Sequence, residues 1–397
     1  MINGINIRII GAFFAVIVLS SCGKTYTGEV ESSGNGIGTS DEDIPVMLAV
    51  SDPSMLTRGS GAFDKELGNV QDMWEKSRFY IYAFCAEENS DFRTLSRNDK
   101  TQCLVDGSVD NDGSKMGKKA RLNSDRASYL LWDGGSNVFY EREEQTRPFL
   151  FFGFYIDDIV VPESNIIRTE SAVKLRNIRI DGRQDIMSSV AQLTEEQKKL
   201  VEDMNEKELV MNSLYSAYST RLGIYPVLSF HHELARVKFK IFPAKSDADH
   251  IYVQNIAKDK EAMGLDFSEY TETIPMRLCE TDGGALKQDY YVAPLLPGEE
   301  SITDPYSRTG VFVGESLLVA PNLGKYKMTV DLKQNINGAT KTYTTEYELE
   351  TAFKAGYAYT VRVAINGLND LDFNVQVDGW RDGGNIEINP GDEWTNE

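Results

Sequence analysis

The chain has 397 residues and a formal net charge of −20 at pH 7. This excess of acidic side chains repels nucleic acid and anionic lipid headgroups, so it argues against a nucleic-acid-binding protein and against membrane attachment through a basic patch. The length leaves room for two domains of ordinary size.

The N-terminus has the layout of a secretory signal peptide. Arg8 is followed by an apolar run over residues 9–19, which ends in the sequence Leu19-Ser20-Ser21-Cys22. As a helix this run would span roughly 16 Å, which is too short to cross a bilayer. Small residues before a cysteine form a lipobox, so we predict a lipoprotein signal peptide over residues 1–21 and lipidation of Cys22. The alternative is an ordinary secreted protein with a chance cysteine at its cleavage site.

Cysteines and histidines are too few and too scattered for a disulfide framework or a metal site. Cys85 and Cys103 could pair across a loop, but buried free thiols are the expected state. His231 and His232 would point to opposite faces of a strand, so they would not share a metal. We predict no metal site and no cofactor.

Residues 22–43 are rich in Gly, Ser, Thr and acidic residues, which predicts a flexible tether. From residue 44 onward, apolar runs alternate with turns that contain Gly, Asn and Asp. In one run Val237, Phe239 and Ile241 share a face, as in a half-buried strand of an antiparallel sheet. The predicted strands include residues 44–50, 78–84, 149–156, 236–242, 326–332, 341–349 and 357–365.

A helical segment over residues 193–218 interrupts this pattern. Thr194 and Gln197 predict a capping box, and an apolar stripe follows, formed by Leu200, Met204, Leu209 and Val210. We place a domain boundary near residue 222. The chain is therefore predicted to be all-β, with two tandem β-sandwich domains over residues 44–222 and 223–397 and a short helical segment near the end of the first.

Motifs of catalysis are missing from the sequence. It contains no Gly-x-Ser-x-Gly elbow, no Walker loop and no His-Glu-x-x-His helix. Residues 106–113 resemble a calcium loop, but the alignment puts Ser108 first and Lys119 where a bidentate Glu belongs. Carboxylates are abundant, so a surface hydrolase stays a third alternative, although no pair stands out. We predict that the protein has no catalytic residues and is not an enzyme.

Several stretches resemble a known family in their order along the chain. They are residues 79–84 (FYIYAF) after Leu56-Thr-Arg-Gly59, residues 227–237 (VLSFHHELARV), and residues 355–363 (AGYAYTVRV) followed by residues 377–383 (VDGWRDG). Together with the lipobox, they are similar to the fimbrillin family, the two-domain subunits of type V pili of Gram-negative bacteria, and more closely to its Mfa-like branch. The resemblance covers essentially the whole mature chain.

This resemblance implies tandem transthyretin-like sandwiches and a lipoprotein that is surface-exposed on the cell outer membrane, or in the pilus once it is processed. It also implies that an arginine-specific protease removes the N-terminus together with the first strand. A strand of another pilus subunit then fills the groove by β-strand addition, without a cofactor. The implied partners are other pilus subunits, the outer membrane through the lipid, and a host or bacterial surface ligand, but no nucleic acid.

Arg58 lies where such a cut would belong, inside the polar turn of residues 57–61. An arginine in an ordinary exposed loop is the alternative. Met47 and Ala49 are also apolar, so both faces of the preceding strand are apolar. The candidate removable strand carries four residues at alternating positions, namely Ile44, Val46, Leu48 and Val50.

The C-terminal residues 389–397 contain Pro390, Gly391 and several acidic side chains, which disfavour a donor strand. A tip or accessory subunit is therefore predicted, with a role in structure or adhesion, although Trp394 could anchor a short donor. The alternative is a non-polymerising cell-surface lipoprotein, either a pilus anchor or a glycan- or protein-binding module. Trp132 and Tyr140 could stack on sugars, but core packing is the more frequent use of such side chains.

Overall fold

The computed structural model describes residues 43–50, 78–87, 91, 93, 101–107, 116–122, 129–135, 137–156, 161–169, 172–180, 182, 184–243, 251–268, 277–278, 282–292, 311–336, 339–367 and 370–378. In chain order, the strands that precede the helices are β1 (Leu48–Val50), β2 (Phe79–Cys85), β3 (Cys103–Val105), β4 (Lys118–Leu122), β5 (Tyr129–Trp132), β6 (Phe149–Ile156), β7 (Ile166–Arg168), β8 (Ala172–Ile180) and β9 (Ile186–Val190).

Three short helices follow: α1 (Glu195–Glu202), α2 (Lys207–Asn212) and α3 (Ala217–Arg221). The remaining strands are β10 (Val227–Leu228), β11 (His231–His232), β12 (Ala235–Pro243), β13 (Ile251–Ser268), β14 (Arg277–Leu278), β15 (Asp282–Val292), β16 (Val311–Val319), β17 (Lys325–Ile336), β18 (Ala339–Glu350), β19 (Ala358–Gly367) and β20 (Asp370–Asp378). The all-β fold class is confirmed, and so are six of the seven strands taken from the sequence pattern. In the seventh, predicted over residues 44–50, only Leu48–Val50 forms a strand.

The first sheet curves back on itself around an apolar core. Its strand order is β10-β1-β5-β4-β2-β6-β9-β11, with β3 paired to β2. Just beyond β9, Ala191 forms a bridge with Leu228 of β10, and Gln192 N donates to Val227 O. Side chains from β1, β2, β4, β5, β6 and β9 fill the space that this sheet encloses, and they form one cluster with Tyr215 and Phe230.

Strands β2 and β6 are buried on both faces. Phe79, Ile81 and Ala83 of β2 point into the cluster just described, whereas Tyr82 and Phe84 join a second cluster on the opposite face. Strands β7 and β8 contribute to this second cluster, which also contains five residues from later in the chain: Ile186, Leu234, Leu318, Ala320 and Ala358. The alternation of two apolar faces explains why these strands are almost continuously hydrophobic.

Two further sheets enclose a third cluster, in the arrangement of a β-sandwich. One has the order β16-β12-β19-β20, and the other has the order β18-β17-β13-β8-β7 with β14 and β15 also paired to β13. The third cluster takes Val237, Phe239 and Ile241 from β12, as the alternation of that strand predicted. Strand β8 pairs with β13, so this sheet takes strands from both sides of residue 222. The two domain ranges and their tandem arrangement stay a prediction.

The capping box predicted at Thr194 is confirmed. Gln197 N donates to the Thr194 hydroxyl at 3.2 Å, and the Gln197 side chain accepts from Thr194 N at 3.1 Å. The apolar stripe was only partly correct. Leu200 is exposed, whereas Val210 lies in a small buried cluster with Val201 and Ile224, and Met204 packs against it. The reason is that the segment breaks into three short helices, so one helical period does not extend along it. None of the helices in the described ranges has the length and hydropathy that a membrane span requires.

Gly117 provides a test of the close packing beside β2. A Cβ atom at this position would lie 2.6 Å from Ile81 N and 2.7 Å from Ile81 O, and backbone atoms cannot move aside as a flexible side chain can. Gly117→Ala should therefore lower the free energy of unfolding by about 3 kcal/mol or more, measured by chemical denaturation.

Gly324→Ala is the matched control, because Gly324 has a φ of +75° and nothing within 4 Å of its Cβ position. There the loss should be only about 1 kcal/mol, from backbone strain alone. Equal losses at the two sites would contradict the packing described for β2.

Candidate functional site

The segment of residues 43–50 is bonded along both of its edges. Strand β1 runs antiparallel to β5 and parallel to β10, so it occupies the interior of the first sheet. On one edge Val46 N donates to Val138 O at 2.8 Å, and Tyr140 N donates to Ile44 O at 3.0 Å. On the other edge Ala49 N donates to Pro226 O at 3.1 Å.

One face of this segment is part of the first core. Val46, Leu48 and Val50 are each less than 5 % exposed and belong to the cluster that the first sheet encloses, and Ile44 packs against it. Burial of a Val or Leu side chain contributes roughly 1.5–3 kcal/mol. The three buried residues together therefore contribute about 5–9 kcal/mol, which is comparable to the whole stability of a typical domain.

The side chain of Trp132 adds one hydrogen bond to the ladder between β1 and β5, at the point where the backbone of β5 turns away from β1. Leu48 pairs with Leu130, and two residues further on the indole Nε1 of Trp132 donates to Val46 O at 3.2 Å. Gly134 follows with a φ of +80°, a conformation that favours glycine and diverts the chain. A side-chain donor thus satisfies the carbonyl that the departing strand leaves behind. Trp132 and Tyr140 are buried in the core, as expected of the more frequent use of such side chains.

The outer face of β1 is uneven in its exposure. Met47 is 38 % exposed, whereas Ala49 is only 6 % exposed. Ala49 pairs with Tyr129 of β5 and with Val227 of β10, and the rings of Tyr129 and Tyr225 lie with centroids 6.3 Å apart. Partial burial and a hydrogen bond with Tyr129 raise the pKa of Tyr225 to about 12, so its hydroxyl is neutral at physiological pH.

Tyr140 connects the same segment to helix α3. Its backbone bonds to Ile44, and its hydroxyl accepts a hydrogen bond from Thr220 Oγ1 at 3.3 Å. Burial raises the pKa of Tyr140 well above its usual value. Helix α3, which carries Thr220, is thereby tied to the chain that lies beside β1.

Cys22 and Arg58 both lie outside the described residues, so lipidation and cleavage stay predictions. Cys85 and Cys103 are free and buried. Cys103 pairs with Phe84 and shares the second cluster with it, whereas Cys85 is the next residue of β2 and therefore points to the opposite face. A disulfide between these two residues is excluded by this geometry, even though their backbones are adjacent.

His231 and His232 point to opposite faces, as predicted from their position in a strand. His231 is exposed, and His232 is buried with its Nδ1 atom 2.9 Å from a carboxylate oxygen of Asp185. Asp106, the first residue of the stretch 106–113, is buried in an ion pair with Arg168 at 2.7 Å. Within the described ranges no group of three or more His, Cys, Asp or Glu residues could hold a metal ion.

Comparisons with known proteins give structural neighbours. No family model matches the chain, and no curated protein sequence matches it. A candidate cell adhesion protein from Bacteroides uniformis is 11 % identical with a TM-score of 0.41, over 86 % of this chain and 99 % of that one. A similar protein from Bacteroides eggerthii is 11 % identical with a TM-score of 0.37, over 87 % and 98 % of the two chains.

The fimbrial anchor protein Mfa2 from Porphyromonas gingivalis is 9 % identical with a TM-score of 0.28, over 77 % of this chain and 90 % of that one. Because all three scores lie below 0.5, the function proposed below rests on the residues of this chain.

Adjacent positions in the segment provide a test of its two faces. Leu48→Ala should lower the free energy of unfolding by about 2–5 kcal/mol, because it leaves a cavity in the core. Met47→Ala should change it by less than about 1 kcal/mol, because Met47 lies on the outer face. Chemical denaturation of the two variants measures both values, and a loss at Met47 as large as that at Leu48 would reverse the assignment of faces.

Proposed function

We propose that the chain is a structural or adhesive component of a type V pilus, and that it is a tip or accessory subunit. In this proposal a protease cuts after Arg58, the segment that contains β1 leaves, and a strand of another subunit takes its place. The protein performs no catalysis and uses no cofactor.

The observation that supports this proposal best is the position of β1. It is a three-residue strand near the start of the described chain, yet it occupies the interior of a sheet and contributes to the central core. In the sequence Arg58 follows β1 and precedes β2, so one cut at this residue would separate β1 from every later strand.

Loss of β1 would leave a site that has to be refilled. The edges of β5 and β10 would lose their partners, and Trp132 would lose the carbonyl to which its indole donates. Each buried polar group left without a partner costs roughly 1–3 kcal/mol, in addition to the lost apolar burial. A strand from another chain is the group that restores both kinds of contact at once.

The predicted lipobox supports the proposed route to the cell surface. Lipidation of Cys22 would deliver the protein to the outer membrane, and a cut at Arg58 would release it into the pilus. The structural neighbours are described as candidate cell adhesion proteins and as a fimbrial anchor, which are surface functions of those proteins. In this chain the corresponding partners would be other pilus subunits and a ligand on a host or bacterial surface.

The Arg58 proposal is tested with an arginine-specific protease and the purified protein. The wild-type chain should be cut after Arg58 and then exchange its β1 segment for an added, labelled peptide of residues 43–50, which supplies the strand that a tip or accessory subunit receives from another chain. Arg58→Lys keeps the positive charge but removes the recognition residue, so this variant should keep its N-terminal segment and take up no peptide.

Arg93→Lys is the matched control, because Arg93 is also an exposed arginine. This variant should be cut after Arg58 and take up the peptide as the wild type does. If the wild-type chain is cut at Arg58 but does not take up the peptide, strand exchange is contradicted. A wild-type chain that stays intact would instead favour a pilus anchor or a monomeric surface lipoprotein.

A further inference from the structure

The outer face of β1 is covered at one residue. Ala49 and Tyr129 are paired in the antiparallel ladder, and Ala49 and Val227 are paired in the parallel one. Paired residues of neighbouring strands lie on the same face of a sheet. The opposite face carries Leu48, Leu130 and Leu228, which belong to the core. Tyr129, Ala49 and Val227 therefore lie together on the outer face.

The rings of Tyr129 and Tyr225 meet on this outer face. Tyr225 comes two residues before Val227, so it stands on the opposite side of β1 from Tyr129. The two ring centroids are 6.3 Å apart at an interplanar angle of 38°, and a hydrogen bond joins the two side chains. Since β1 runs between β5 and β10, the ring pair has to cross over β1.

We infer that Tyr129 and Tyr225 form a clasp across β1, and that this clasp admits only a strand with a small side chain at the position of Ala49. The inference is supported by the exposure of the outer face. Ala49 carries a single methyl group and is 6 % exposed, whereas Met47 on the same face of the segment is 38 % exposed. The clasp therefore covers Ala49 and leaves Met47, the next residue on the same face, exposed to solvent.

A clasp of this kind adds a size restriction to the site. The core side of β1 selects apolar side chains at alternate positions, and the backbone bonds accept any sequence. A side chain larger than that of Ala49 would have to push the two rings apart and break their hydrogen bond. The restriction applies to β1 itself. If strand exchange occurs as proposed above, it applies equally to the incoming strand of another pilus subunit.

The clasp is tested in the intact full-length chain with a double-mutant cycle. Ala49→Leu should lower the folding equilibrium constant by roughly tenfold to a hundredfold, as overpacking does elsewhere. In a chain that also carries Tyr225→Ala, the same substitution should lower it by less than about threefold, because the clasp is open. Tyr129→Ala opens the clasp from β5 and provides a second background if Tyr225→Ala fails to fold.

Met211→Leu is the control, because Met211 is an exposed methionine on helix α2 and lies outside the first sheet. Its effect on the folding equilibrium constant should be the same in the wild-type and Tyr225→Ala chains. If Ala49→Leu has the same effect in both chains, the clasp is overturned. If Tyr225 had only a general structural role, its removal would not reduce the cost of Ala49→Leu. This measurement does not depend on strand exchange.

The restriction on an incoming strand is tested with peptides. The full-length chain is cut after residue 58, at a specific protease site introduced there, and refolded with equal amounts of two peptides of residues 43–50. One peptide has the native Ala49 and the other has Leu at that position. Mass spectrometry of the complex should find the native peptide favoured at least tenfold, and less than threefold with Tyr225→Ala.

Equal incorporation of the two peptides into the wild-type chain would overturn the restriction. If neither peptide is incorporated, the proposed strand exchange fails, whereas the clasp is decided by the double-mutant cycle in the intact chain. The two conclusions are therefore separable.

Discussion

The first sheet depends on a strand that is inserted between two others. Because β1 bonds to β5 on one edge and to β10 on the other, it closes the sheet around its core. Loss of a strand at the edge of a sheet exposes one row of unpaired backbone groups on its single neighbour. Loss of an interior strand exposes two such rows, one on each neighbour, and opens the core to water. The structure around residues 43–50 is therefore complete only while a strand lies there.

Three kinds of contact hold this strand, and each recognises a different property. The core face binds apolar side chains through Val46, Leu48 and Val50. The edges and the indole of Trp132 bind the backbone of any extended chain. In the inferred clasp, the two tyrosine rings on the outer face limit the size of the side chain at position 49. In the proposed strand exchange, these three kinds of contact would select the incoming strand.

Much of the fold could be predicted from the sequence, where the signal is local. The alternation in β12 gave the correct core face, and Thr194 with Gln197 gave the correct capping box, because such patterns depend on residues close together in the chain. In the candidate removable strand both faces are apolar, so only the structure shows that Val46, Leu48 and Val50 lie on the core side. Strand β10 was not identified, since two residues carry no periodic signal.

Contacts between distant parts of the chain could not be predicted in this way. Trp132 and Tyr225 are aromatic residues in a chain rich in them, and only the pairing of β1 with β5 and β10 places them beside one strand. The stripe was wrong at Leu200 because the segment breaks into three short helices, and the positions of those breaks depend on packing of the whole segment. The pairing of β8 with β13 likewise joins segments far apart in sequence.

We propose that the strand at the β1 position is exchanged during assembly. This exchange is tested by the N-terminal residue of the protein recovered from surface filaments of the cells that produce it, together with mass spectrometry for residues 43–50. We expect the chain to begin at Gly59 and residues 43–50 to be absent from the filament. A chain that begins at a lipidated Cys22, or filaments in which residues 43–50 are retained, would contradict it.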